Sequence, residues 1–205
     1  MGLHDLERNG SRTPGLGRWL LPGAMLLVAV FLLFGGELAR EWLRFDRQGI
    51  QAGEVWRLLS GHFVHLGAPH LALNAAGLAL VWYLVGDAYD VRQWALVCTL
   101  SVLTMDIGLW VFDPDLQWYV GLSGLLHGVL AAGLVVALEK PDKETLALLL
   151  LLIGKLAWEQ FGGPLPGSEA TAGGRVVVDS HLFGAIGGVV AAAWLWIRVR
   201  NATPI

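Results

Sequence analysis

Six stretches of the chain are almost wholly apolar: Trp19–Phe34, Leu71–Val85, Trp94–Phe112, Leu122–Leu138, Leu146–Phe161 and His181–Val199. Polar or glycine-rich segments separate them. A helix needs about 20 mostly apolar residues to cross the hydrocarbon of a bilayer. The pattern therefore predicts an all-α polytopic membrane protein, a six-helix transmembrane bundle over residues 19–199, with tails at 1–18 and 200–205. The first run has no small-x-small cleavage site and five more follow it, so it reads as a retained helix. Several tryptophans flank the runs (Trp19, Trp42, Trp56, Trp118), where interfacial anchors belong.

Composition sharpens the class. Of 205 residues, 55% are hydrophobic and 15% charged, whereas soluble domains are about 25% charged. The net charge of −3 and the lack of a long basic run leave the lipid bilayer, not a nucleic acid, as the expected partner. The single cysteine, Cys98, can form no intramolecular disulfide and reads as a small core residue. Oligomeric state is not legible.

Lysines and arginines orient the bundle. With the N-terminus inside, Arg8, Arg12, Arg18, Arg92, Lys140, Lys143, Arg198 and Arg200 are cytoplasmic. Arg40, Arg44, Arg47, Arg57 and Arg175 are outside, and Lys155 is within a span. Both termini are expected in the cytoplasm.

In that zigzag the second, fourth and sixth runs all begin on the outer side. His70 opens the second, with Asn74 one turn on; Ser123 opens the fourth; His181 opens the sixth. Polar groups inside a membrane are costly and mark function. A serine and a histidine at one depth suggest a nucleophile and its general base. The glycines permit the approach this needs. Gly124 and Gly128 lie on the fourth run, and Gly184 and Gly188 follow His181 at i+3 and i+7, on its own face. Small-xxx-small faces let two membrane helices touch, although such faces also occur where helices only pack.

The motifs Trp56-Arg57, His70-x-x-x-Asn74, Gly121-x-Ser123-Gly124-x-x-x-Gly128 and His181-x-x-Gly184, in this order, resemble those of the rhomboid intramembrane serine proteases. Within that superfamily the segments Gly61-His62-Phe63-Val64-His65 and Pro69-His70-Leu71-Ala72-Leu73-Asn74 are similar to the rhombosortase branch. The Gly-Leu-Ser-Gly-Leu-Leu-His-Gly variant from Gly121 to Gly128 points the same way. The resemblance implies a rhomboid-like bundle in a bacterial inner membrane, with its active site toward the periplasm and no cofactor. Its substrates would be secreted or surface proteins, cleaved near a C-terminal Gly-Gly motif that precedes a transmembrane helix and a basic tail. A general rhomboid protease with other membrane substrates and a non-proteolytic relative that binds membrane proteins are the alternatives. A small transporter would also explain six spans, but no inverted repeat is visible.

Carried over by position, the resemblance makes Ser123 the nucleophile and His181 the base. His70, Asn74 and the backbone N–H groups of Ser123 and Leu122 become the oxyanion donors. It implies a dyad with no carboxylate third member. Asp179, two residues before His181, falls off the histidine's helical face and reads as an exposed charge or helix cap. Most rhomboids carry a tyrosine four residues after the serine. Here His127 stands there, able to pack beside His181 or to replace it as base.

Other polar residues are softer signals. His62 and His65 make the approach to the second run histidine-rich, but no second ligand cluster accompanies them, so no metal is expected. His4 belongs to the N-terminal tail. Lys155 and Glu159 can pair at i, i+4, either as a structural pair or along a lateral substrate route beside the second and fifth helices. Asp106 reads as a buried hydrogen-bonding group. Leu38, Trp42 and Phe45 form an apolar stripe at i, i+4 and i+7, predicting an interfacial amphipathic helix in the first outer loop. The Gly- and Pro-rich segment from Gly162 to Asp179 predicts an irregular, mobile cap over the site.

Overall fold

The apolar runs fold as helices, as lipid demands of any chain that crosses it. The computed structural model describes residues 16–202. His4, most of the 1–18 tail and the last three residues lie outside the described residues. A 3-10 turn, Leu16–Trp19, leads into α1, Leu20–Phe34. The long loop after α1 holds α2, Gly36–Leu43, a two-residue strand β1, Phe45–Asp46, and the short helices α3, Arg47–Gln51, and α4, Arg57–Ser60. Then come α5, Ala68–Val85, and α6, Val91–Phe112, followed by strand β2, Trp118–Tyr119. The remaining helices are α7, Ser123–Ala137, α8, Lys143–Gly162, the one-turn α9, Ser168–Ala172, and α10, Val178–Ala202.

Five helical stretches among the described residues are long and apolar enough to cross a membrane, and α7 is a sixth, shorter apolar helix. Their outward faces are apolar: Leu27, Phe31, Leu150, Leu151 and Phe161 are all exposed. In water such a surface would drive aggregation, and against lipid tails it is the matched solvent.

Helix α10 packs against α7, α6 and α8, and α7 also meets α5 and α6. Missing side chains make this possible. A Cβ on Gly184 would run into the Gly124 carbonyl, and one on Gly188 into the Gly128 carbonyl. From the facing side, a Cβ on Gly128 would meet the Gly184 carbonyl oxygen at 2.7 Å. The four glycines thus bring the two backbones into direct contact, as their spacing suggests. Gly187 does the same toward α6, where a Cβ would fall 2.6 Å from Ser101 Cα.

Three expectations from the sequence are corrected here. Helices α5, α6, α8 and α10 each begin three residues before their expected run, so His70 and His181 sit inside a first helical turn. The apolar stripe of the outer loop is broken. Leu38 and Trp42 are exposed on α2, but Phe45 is fully buried on β1, where it pairs with Tyr119 across an antiparallel ladder. The segment before α10 is not irregular throughout. Gly167 and Gly173, both at φ 81°, bracket α9, and Ala172 is buried.

Two arginines hold the loop between α1 and α5 in place. Arg47 donates to the carbonyls of Leu109, Trp110, Asp113 and Leu116, capping the C-terminal end of α6, where a cation is also favoured by the helix dipole. Arg57, buried, donates to Glu54 and to the carbonyls of Glu41 and Arg44. Beneath them His62 is fully buried and its Nε2 lies 3.1 Å from Asp106 Oδ1. That pair supplies the buried bond expected for Asp106.

Candidate active site

Ser123 is the first residue of α7, reached through a turn that only glycine makes without strain. Gly121 has φ 117°, and a Cβ there would lie 2.8 Å from the His70 ring. The Tyr119 hydroxyl, kept protonated by complete burial, donates to the Gly121 carbonyl and fixes the turn from behind. As the opening residues of a helix, Leu122, Ser123 and their neighbours present N–H groups with no intrahelical acceptor.

His181 lies in the first turn of α10, buried, and its Nε2 is 2.9 Å from Ser123 Oγ. The two side chains that the depth argument paired are therefore hydrogen-bonded. The ring is stacked on His127, with centroids 4.2 Å apart and planes at 21°. His127 donates from Nδ1 to the Ser123 carbonyl at 2.7 Å. His127 thus packs beside His181, and the serine's partner is His181.

The other nitrogen of His181 meets a carboxylate. Glu159 Oε2, near the C-terminal end of α8, lies 2.9 Å from His181 Nδ1. Its second oxygen accepts from Lys155 Nζ at 2.7 Å, and Lys155 Nζ stands 3.2 Å from His181 Nδ1. The expectation of no carboxylate beside the histidine is corrected. The acid is Glu159, not Asp179, which lies half-buried within the first turn of α10. The Lys155–Glu159 pair exists as spacing predicts, and it faces His181.

His70 and Asn74 stand on the opposite wall. The Leu66 N–H donates to His70 Nδ1 at 3.3 Å, so the neutral ring carries its proton on Nε2, the atom beside Gly121. Arg40 holds the Leu66 carbonyl at 2.8 Å, which pins that donor from α2. Asn74 is buried and donates one amide hydrogen to the His70 carbonyl at 3.0 Å, leaving the other available. His65 packs edge-on against His70 at 5.0 Å. Burial and the neighbouring His70 lower its pKa to about 4, so it is neutral at pH 7.

His127, Glu159 and His181 bring one nitrogen or oxygen each within 4.8 Å of one another. Both His181 nitrogens are engaged, so Ser123, His181 and Glu159 form a hydrogen-bond relay, while His127 is stacked on His181 and bonded to the Ser123 carbonyl.

A relaying histidine bonded to a serine at the mouth of a short apolar helix is a protease-like arrangement, and comparison with known proteins agrees. Residues 52–198 match the model of the rhomboid domain. The chain belongs to the rhomboid family. This rhomboid is 33% identical over 157 residues to the rhomboid protease GluP of Bacillus subtilis, covering 75% of the chain and 28% of GluP. It is 25% identical over 117 residues to the rhomboid protease GlpG of Salmonella newport, covering 55% of the chain and 40% of GlpG. An uncharacterized protein of Mycobacterium tuberculosis is 28% identical over 199 residues, covering 90% of the chain and 80% of that protein. The chain thus spans well under half the length of the two named rhomboid proteases. It is a multi-pass membrane protein with bacterial relatives.

Proposed function

We infer that this rhomboid is an intramembrane serine protease with Ser123 as nucleophile and His181 as general base. The observation that carries this is the bond of 2.9 Å between Ser123 Oγ and His181 Nε2 across the α7–α10 contact. In the first step Ser123 Oγ bonds to the scissile carbonyl carbon while its proton passes to His181 Nε2. The carbonyl electron pair moves onto oxygen. The N–H groups of Ser123 and Leu122, His70 Nε2–H and the free amide hydrogen of Asn74 meet that oxyanion. As the C–N bond breaks, His181 returns the proton to the leaving amine. Water then releases the acyl group by the same route in reverse; another amine could take its place.

The substrates would be membrane proteins bearing a Gly-Gly motif before a transmembrane helix and a basic tail, as in the rhombosortase-like reading of Gly61–His65 and Pro69–Asn74. Glycines suit the chemistry because each weakens a helix by about 1 kcal/mol relative to alanine, which exposes a carbonyl to attack. The site would face the periplasm of a bacterial inner membrane, with both termini in the cytoplasm.

Reconstituted protein mixed with a reporter carrying that tail should release a soluble product, and a fluorophosphonate should block release. A reporter whose Gly-Gly is replaced by Leu-Leu should be cut far more slowly. Equal cutting of both would favour a general rhomboid protease, and no cutting of either would remove the Gly-Gly tail as the substrate. His70→Ala or Asn74→Ala should each lower kcat by about 10²–10³ while KM changes little, the usual cost of one oxyanion donor. A loss confined to KM would move the residue out of that role.

A further inference from the structure

The geometry points to Glu159 as the positioning residue that sets the tautomer of His181, with Lys155 holding Glu159 in place. The inference rests on the proteolytic reading above.

His181 can accept a proton from Ser123 only if Nε2 carries a lone pair, which places the ring proton on Nδ1. Two groups compete to decide this. Glu159 Oε2, at 2.9 Å, can only accept, so it requires a proton on Nδ1. Lys155 Nζ, at 3.2 Å, can only donate, so a bond from it would require a bare Nδ1 and a protonated Nε2, the useless tautomer. The structure resolves the competition through the second carboxylate oxygen. Glu159 Oε1 takes the Lys155 ammonium at 2.7 Å, closer than the ammonium stands to the imidazole. The carboxylate therefore draws the cation away from Nδ1 and at the same time claims the Nδ1 proton. It remains ionised through the cycle and faces the positive charge that His181 acquires when it takes the serine proton. Its side chain is 3% exposed, so water does not compete for either oxygen.

The site differs here from the serine–histidine pair that its family resemblance implies. His127 occupies the stacking position, and its ring contributes no acceptor to His181. A stacked ring fixes the plane of the imidazole but not which nitrogen bears the proton. Glu159 supplies what the stack cannot.

The isosteric change Glu159→Gln tests this because its outcome follows from donor counting. Lys155 will claim the amide oxygen, its remaining acceptor. The amide N–H₂ then faces His181 Nδ1, which must accept, and the ring proton moves to Nε2. We expect kcat to fall about 10³-fold or more, the scale of an analogous carboxylate-to-amide change in a soluble serine protease, with KM within about threefold. Removing the cation should reverse part of the defect. In Lys155→Met/Glu159→Gln the amide oxygen is free to accept from Nδ1, so kcat should rise at least about tenfold above Glu159→Gln, a coupling typical of groups in one network. A residue that merely supports the fold would not be rescued by deleting its own partner.

A spectroscopic signature covers the case in which Glu159→Gln does not fold. Ser123→Ala, which keeps the imidazole and the carboxylate, should show a low-field ring N–H proton resonance that disappears in Ser123→Ala/His181→Ala. Absence of that resonance overturns the inference, as does Glu159→Gln activity within about threefold of the parent, or no rescue in the double variant. If the parent itself fails to react with a fluorophosphonate at Ser123, the proteolytic reading fails first. If the parent reacts and Glu159→Gln reacts equally fast, only the role of Glu159 is lost.

Discussion

Ser123→Ala is expected to leave a folded protein that neither cleaves its substrate nor takes up a fluorophosphonate. The hydroxyl is hydrogen-bonded to His181, and Ser123 is half-buried at a helix start. Its removal leaves no stranded charge, because Glu159 still holds the other side of the imidazole. The change in stability should therefore stay near 1 kcal/mol, the ordinary worth of one hydrogen bond. The loss of activity should be of a different order. Deleting the nucleophile of a serine protease removes about 10⁶ in kcat, since the remaining groups then have nothing to act through. Cleavage of a tailed reporter, with thermal unfolding in the same detergent, separates the two effects. Cleavage within about tenfold of the parent, from protein shown free of contaminating protease, would exclude Ser123 as the nucleophile.

Gly188→Val should produce the second large effect, and by a different cause. Its new Cβ would enter the space of the Gly128 carbonyl. Backbone cannot rotate away as a side chain can, so α7 and α10 must separate. Overpacking against movable side chains already costs about 1–3 kcal/mol, and this site should reach the top of that range or exceed it. Separation also pulls His181 from Ser123, because Gly188 lies on the same face of α10. Gly154→Val on α8 is the matched control: it carries the same penalty of helix propensity, but its Cβ would meet nothing within 4 Å. We expect Gly188→Val to lose its cooperative unfolding transition and its activity together, and Gly154→Val to keep both. If Gly188→Val retains both, the two backbones do not depend on touching.

The contrast between these sites shows what the sequence discloses. The glycines of α7 and α10 announce themselves because helical periodicity is local: Gly184 and Gly188 must share a face with His181 whatever surrounds them. The shared depth of Ser123 and His181 follows from counting spans. Glu159 was harder to place because it stands at the end of a run, not at its beginning. A fifth helix that starts inside must finish outside, so its last turns reach the level of His181. The i, i+4 pairing with Lys155 was visible, yet it offered a self-contained explanation and drew attention away from any third partner. Asp179 is nearer in sequence, two residues from His181, but not in space.

Other features lie beyond local pattern. The ladder between Phe45–Asp46 and Trp118–Tyr119 joins two-residue segments more than seventy positions apart, too short for any alternation to register. Phe45 fell into a helical stripe by spacing, and tertiary pairing overrode it. The α9 turn is short enough that its flanking glycines hide it.

The brevity of α7 bears on how deep Ser123 lies. Its 15 residues span about 22 Å at 1.5 Å per residue, against roughly 30 Å of hydrocarbon. If its far end meets the inner boundary, the serine is sunk by some 8 Å beneath the outer one. Under the proposed mechanism, whatever frees the acyl group would have to descend that recess. Small acceptors would be favoured there over bulky ones.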